Sequence, residues 1–140
     1  MIDTTLIGAE TEIVSITITR EEVQKYCRVI SEENPIYHQV QAARKAGYKD
    51  IPIPPTFPTL FWQALKTPWL DSDAVVIHSE QTFSYEVPLI SNMTYQCKII
   101  LGNIRTRGNK QFLKHRLLIF DNNIEIATSE TTLVLIFHQE

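Results

Sequence analysis

From Ala74 onward the chain keeps one period. Val75, Ile77, Phe83, Tyr85 and Val87 lie on one side of the alternation, and His78, Glu80, Thr82 and Glu86 on the other. Met93, Tyr95, Cys97, Ile99 and Leu101 recur at every second position, and Gln111 to Phe120 and Ile124 to Phe137 continue in the same way. Strand side chains point alternately to opposite faces, so this pattern makes half-buried strands. The breaks are short. Arg107-Gly108-Asn109-Lys110 and Asp121-Asn122-Asn123 are turns, and connections of that length join antiparallel neighbours. A meander of four long strands therefore occupies the second half, and its apolar face has to be covered by the first.

The first half supplies the cover. Met1 to Glu12 is weakly patterned and reads as an arm. From Ile13 the period is two, with Val14, Ile16 and Ile18 apolar, which predicts one more strand. Thr19-Arg20-Glu21-Glu22 is a capping box. The helix it opens carries Val23, Tyr26, Cys27 and Ile30 on one stripe, with Pro35 expected to close it. Val40 to Gly47 predicts a short helix with Gly47 in the C-cap place. Ile51-Pro52-Ile53-Pro54-Pro55 rules out regular structure. Thr56 is the expected N-cap of a third helix, apolar on much of its circumference through Phe57, Leu60, Phe61, Trp62, Ala64 and Leu65. Helices grouped apart from an antiparallel sheet mean an α+β fold, and the apolar third helix is the element for a curved sheet to wrap. At 140 residues, with no repeat or linker, residues 1–140 read as a single domain.

Charge and spacing exclude several functions. The net charge is −3, and the cluster Arg105, Arg107, Lys110, Lys114 and Arg116 is most simply the solvated face of a hairpin, so a nucleic-acid footprint is not expected. Cys27 and Cys97 have no metal or redox spacing and read as buried free thiols of a reducing compartment. His38, His78, His115 and His138 lack paired spacing, the four glycines form no phosphate loop, and no cofactor is expected. No serine elbow is present. No apolar run approaches the ~18 residues of a membrane span, and Met1-Ile2-Asp3 does not begin a secretory signal, so the expected location is cytoplasmic.

What remains is acid–base chemistry. Ser31-Glu32-Glu33-Asn34-Pro35-Ile36-Tyr37-His38 packs carboxylates, an amide, a phenol and an imidazole into a loop bent by Pro35. Glu32 or Glu33 with His38 supplies groups able to share a proton or a water. The start of the third helix, near Thr56 and Phe57, offers backbone N–H groups to a carbonyl oxygen gaining negative charge.

In order along the chain, Glu33-Asn34-Pro35-Ile36-Tyr37-His38, Ala42-Ala43-Arg44-Lys45-Ala46-Gly47-Tyr48 and Pro54-Pro55-Thr56-Phe57-Pro58 are followed by His78-Ser79-Glu80-Gln81, Phe83-Ser84-Tyr85 and Pro88. This succession resembles the MaoC-like dehydratase family, in its N-terminal, FAS1-like dehydratase branch. The resemblance implies a hotdog fold, a curved antiparallel sheet around a central helix. It implies reversible hydration of enoyl thioesters to (R)-3-hydroxyacyl chains on coenzyme A or acyl carrier protein. In competent members an Asp-x-Asn-Pro-x-His pattern supplies the acid–base pair. Asn34 and Pro35 match it, Glu32 stands at the aspartate, Tyr37 occupies the histidine position, and His38 follows one residue late.

The site residues carried over by this resemblance are Glu32 and His38 for the water and the proton, and Asn34 to orient the water. Tyr37, Thr56, Phe57, Phe61, Trp62 and Tyr85 are the substrate-binding set, with backbone N–H groups near Phe57 for the thioester oxygen. His78 reads as structural, on the polar side of the sheet. The expected activity is an (R)-specific hydratase or dehydratase. The alternative is a non-catalytic acyl-binding subunit whose partner of the same fold does the chemistry, and a hotdog thioesterase ranks third. Long edge strands invite pairing, so a homodimer, or a heterodimer with a related subunit, is expected.

Overall fold

The computed structural model describes residues 1–138. The strands are β1 (Val14–Thr17), β2 (Val75–Tyr85), β3 (Thr94–Arg107), β4 (Lys110–Asp121) and β5 (Ile124–Ile136). They form one antiparallel sheet in the order β1-β3-β4-β5-β2. Asn122 and Asn123, at φ of 49° and 65°, give the β4–β5 hairpin the left-handed pair that a two-residue turn of matching twist requires.

Leu113, His115, Leu117 and Ile119 of β4 lie opposite Leu133, Thr131, Ser129 and Ala127 of β5. With Leu101, Ile99 and Cys97 of β3 they make the covered face of the sheet. The other face carries Arg105, Arg107, Lys110, Lys114 and Arg116, all exposed, as a solvated face should be.

One bulge corrects the expected phase of β2. His78 pairs with Leu133, yet Glu80 pairs with Thr132 and Gln81 with Thr131. The extra residue, Ser79, reverses the alternation. Val75 and Ile77, expected beside Phe83 and Tyr85, therefore fall on the outer face. His78, expected on the polar side, joins Gln81, Phe83 and Tyr85 on the inner one.

The first half departs from its sequence pattern at the end of its first helix. Helix α1 (Arg20–Val29) starts as expected, with the Thr19 hydroxyl accepting the Glu22 N–H at 3.1 Å and donating to its carboxylate at 3.2 Å. It stops well before Pro35. Ser31 takes φ 59°, its N–H donates to the Arg28 carbonyl, and the Glu32 N–H donates to the Cys27 carbonyl. That double bond pattern closes a helix through a left-handed residue. Val23 and Cys27 are buried, while Ile30 lies beyond the last turn and is exposed. Helix α2 (Val40–Lys45) closes the same way through Gly47 at φ 101°.

The expected loose arm is instead tied down. Ile2 is buried, its main chain holds the Gln111 side-chain amide at 2.8 and 2.9 Å, and the Thr11 N–H donates to the Ile99 carbonyl at 2.9 Å. The proline run also pairs, with the Ile53 N–H on the Leu89 carbonyl at 2.8 Å and the Ser91 N–H on the Ile51 carbonyl at 2.9 Å. Asp50 locks this run to α1: its carboxylate takes two bonds from Arg20 at 2.8 Å and one from Ser91 at 3.1 Å. These bonds hold the Asp50 carboxyl well below the usual carboxylate range, the Arg20 bond contributing most.

The third helix, Phe57–Ala64, is wound as a 3-10 helix throughout. Pro58 has no N–H to give, and the Thr59 N–H and hydroxyl both turn to the Thr56 carbonyl, at 3.4 and 3.1 Å. That i to i+3 closure starts the tighter winding. Phe57, Pro58 and Phe61 are buried, but Leu60 is 38 % exposed and Ala64 is exposed, so the expected all-round burial does not occur within one chain. Thr56 makes no side-chain cap.

Candidate active site

The left-handed turn at Ser31 aims the Glu32 carbonyl at the His38 ring, whose Nε2 lies 2.8 Å from it. A carbonyl only accepts, so this nitrogen is the donor. His38 thus meets the main chain of Glu32, and not its carboxylate. Its own carbonyl accepts from the Gln24 amide at 3.1 Å. The Asn34 Oδ1 accepts the Ile36 N–H at 3.2 Å and caps the single turn Pro35–Tyr37. That oxygen is used locally, in the cap.

Tyr37 is half-buried against the core. Burial first, then the nearby Glu32 carboxylate, pushes its phenol up from the ordinary tyrosine range. The Tyr85 phenol is also pushed up, by burial and then by the neighbouring Tyr26 and Tyr37 phenols. Two of these phenols, Tyr26 and Tyr85, meet at Pro55-Thr56. The Tyr85 hydroxyl donates to the Pro55 carbonyl, and the Tyr26 hydroxyl is 2.6 Å from the Thr56 Oγ1.

The start of the 3-10 helix is less open than expected. The Phe57 N–H donates to the Pro54 carbonyl at 2.9 Å, and Pro58 contributes none. Phe57 packs edge-on to Tyr26 at 4.9 Å and to Phe61 at 6.2 Å. Both phenylalanines are core, 3 % and 2 % exposed. Trp62 is different: with Thr59, His78, Gln81, Thr131 and Leu133 it lines a cavity of about 160 Å³.

Beside this cavity lies a residue that the motifs did not single out. His115 is fully buried, edge-on to Trp62 at 5.1 Å and stacked with Trp69. The Trp69 indole N–H donates to its Nε2 at 2.9 Å. Burial pushes its pKa down to about 4, against a smaller opposing pull from the Leu113 main chain. Its Nδ1 completes no hydrogen bond with that main chain or any other group. Gln81, Ser129 and Thr131 share the same inner face. The signal for His115 was present in Leu113-x-His115-x-Leu117, a polar residue in the buried phase of a strand. The phase of Gln81 was present too, two residues before Phe83 on the same side of the alternation.

Among the described residues no three His, Cys, Asp or Glu side chains converge to hold a metal ion, and no helix is long and apolar enough to cross a membrane. Residues 5–126 match the family described as the FAS1-like dehydratase domain region. A UPF0336 protein of Thermobifida fusca (strain YX) is 30 % identical over 125 residues, 84 % of this chain and 82 % of that protein. A solved MaoC-like dehydratase superposes with a TM-score of 0.85 at 20 % identity, over 94 % of this chain and 42 % of the other. The C-terminally truncated HadBC (3R-hydroxyacyl-ACP dehydratase) complex of Mycobacterium tuberculosis gives 0.83 at 17 %, over 92 % and 96 %. A five-stranded antiparallel sheet covered by a short apolar helix, with a family match over most of its length, makes this chain a hotdog-fold member of the FAS1-like branch of the MaoC-like dehydratase family.

Proposed function

We propose that this chain, as a single hotdog domain in the cytoplasm, takes part in the reversible hydration of enoyl thioesters on coenzyme A or acyl carrier protein. Its role is to hold the acyl chain for a partner of the same fold that supplies the acid–base pair. The carrying observation is the placement of Tyr37. Its phenol, in the histidine position of the motif, is half-buried against the core with the Glu32 carboxylate nearby, while His38 is folded onto the Glu32 carbonyl. A phenol with an ordinary pKa near ~10 is a weak base at neutral pH, and burial pushes this one higher. The similarity to HadBC, by its name a two-component complex, agrees with a paired assembly.

His38 favours a second reading, in which the chain is a hydratase in its own right. A ring fixed through one nitrogen presents the other as a general base, and Glu32, Asn34 and His38 would be its catalytic set. Crotonyl-coenzyme A separates the readings. The isolated chain is expected to bind it without loss of the enoyl absorbance. Adding a MaoC-like subunit with an intact Asp-x-Asn-Pro-x-His motif should start turnover. Hydration by the chain alone, reduced roughly 10²–10⁴-fold by His38→Ala with the fold intact, would establish the second reading instead. Release of free thiol would indicate a thioesterase.

A further inference from the structure

The basic residues of the β3–β4 hairpin take no part in the site above. Cross-strand pairing sets Arg105 beside Phe112, Lys114 beside Thr132 and Arg116 beside Glu130, all on the outer face. Arg107 stands directly opposite Lys110, where like charges repel. Among the described residues the ion pairs are Arg20 with Asp50 and Lys98 with Glu10. The hairpin cations form none there, although Glu80 and Glu130 stand on the same face. A cluster of one sign, exposed and left without counter-charges, attracts an anion from outside the chain.

The face is also grooved at this place. Two bulges lie on one cross-strand row. Gly102 is the extra residue between Leu101 and Asn103 of β3, and Ser79 the one between His78 and Glu80 of β2. Lys114 and Thr132, paired with each other, lie between them. Bulges bend a strand and sharpen its twist. Two adjoining grooves follow this row. One, of about 430 Å³, is lined by Arg105, Phe112, Val134 and Glu80. The other, of about 400 Å³, is lined by Ile7, Ile100, Arg116 and Glu130. Asn103 and Lys114 line both. The span from β2 over β5, β4 and β3 to Gly8, whose N–H bonds to the Leu101 carbonyl, is four strand spacings, ~19 Å. A helix of about 13 residues has that length.

We propose that these grooves dock an acidic amphipathic helix of a partner protein. Its apolar face lies on Phe112, Val134 and Ile100. Its carboxylates, three or four residues apart, reach Arg105, Lys114 and Arg116. Charge complementarity decides for an acidic partner, and the apolar floor decides for a protein. Nucleic acid fits less well: the Arg105 guanidinium already lies over the Phe112 ring at 4.8 Å, so that ring offers no platform to a base. Glu80 and Glu130 would also repel a phosphate backbone. A small ligand would stay largely in water on so open a face. The footprint is smaller than that of a lasting complex, so the contact is transient and sensitive to salt. It lies on the opposite face of the sheet from Tyr85, and it stands or falls apart from the acyl-thioester reading.

The test is an NMR titration of the isotope-labelled full chain with a synthetic helix of about 13 residues. The helix carries glutamates on one face and leucines on the other. A second peptide has lysines in place of the glutamates. Shifts caused by the acidic helix should be confined to residues that line the two grooves. Its affinity should fall at least about tenfold between roughly 0.05 and 0.5 M salt. Arg105→Glu with Lys114→Glu should weaken it by at least about tenfold, and the lysine peptide should not bind. Both side chains are exposed, and Lys114→Glu alone serves if the pair does not fold. Absent shifts, shifts centred elsewhere, or an affinity unchanged in the variants would overturn the proposal. Tighter binding of a short oligothymidylate in the same grooves would overturn it too, and make the face a nucleic-acid site.

Discussion

Ser31 pays a conformational cost so that α1 can end where the site needs it. At φ 59° a side chain is disfavoured by ~1–2 kcal/mol, part of which glycine returns as unfolded-state entropy. Ser31→Gly is therefore expected to stabilise the protein by about 0.5–1 kcal/mol in a urea melt, and a loss would show that the Ser31 side chain is engaged. His115 sets the acid limit of stability. Its pKa is about 4 in the fold, against ~6.5 when unfolded. The unfolded chain thus binds the proton that the folded chain refuses. Stability from this residue is complete above about pH 6.5 and is lost as pH falls toward 4, by up to roughly 3 kcal/mol. Urea midpoints measured across that window should fall with pH in the wild type and fall less in His115→Gln. Asp50, with its carboxyl held low by Arg20, adds to acid lability in the same direction but only below its ordinary value of 3.8.

At the scale of elements, β2 is the longer of the two edge strands, paired only with β5. Val75, Val76 and Ile77 are 51 %, 51 % and 46 % exposed. An edge that is long, apolar and unblocked is a template for another strand. The exposed Leu60 of the 3-10 helix likewise lacks cover within one chain. Pairing through β2, with a second copy or a related subunit, is the expected assembly. Val75→Lys with Ile77→Lys places two charges on the outer face without touching the core. It should turn a dimer into a monomer in light scattering at micromolar concentration. A dimer that survives both changes would locate the interface elsewhere.

For the whole molecule, the local signals in the sequence determined the strands, the β3-β4-β5 hairpins, the α1 cap and the Gly47 closure, but not the place of β2, which a four-strand meander sets beside β3 and the structure pairs with β5. Each follows from nearest neighbours, turn chemistry or a short repeat. The run of motifs from Glu33 to Pro88 also placed the chain in its family before any coordinates. What the tertiary structure decided is everything that depends on cross-strand register. The bulge at Ser79 moved His78 to the inner face and Val75 and Ile77 to the outer one, because pairing with β5 and not local pattern sets the phase. Ser31 ended α1 because Arg28 and Cys27 carbonyls were there to be closed, where the sequence pointed to Pro35. Phe57–Ala64 kept its buried Pro58 and Phe61 but wound too tightly to hide Leu60. The histidine position of the motif shows the division most clearly. The order Tyr37-His38 was legible, but which ring packs against the core and which turns back to the Glu32 carbonyl depends on a loop packed against α1 and α2. No periodicity within eight residues encodes that, since the partners that select each rotamer come from distant parts of the chain.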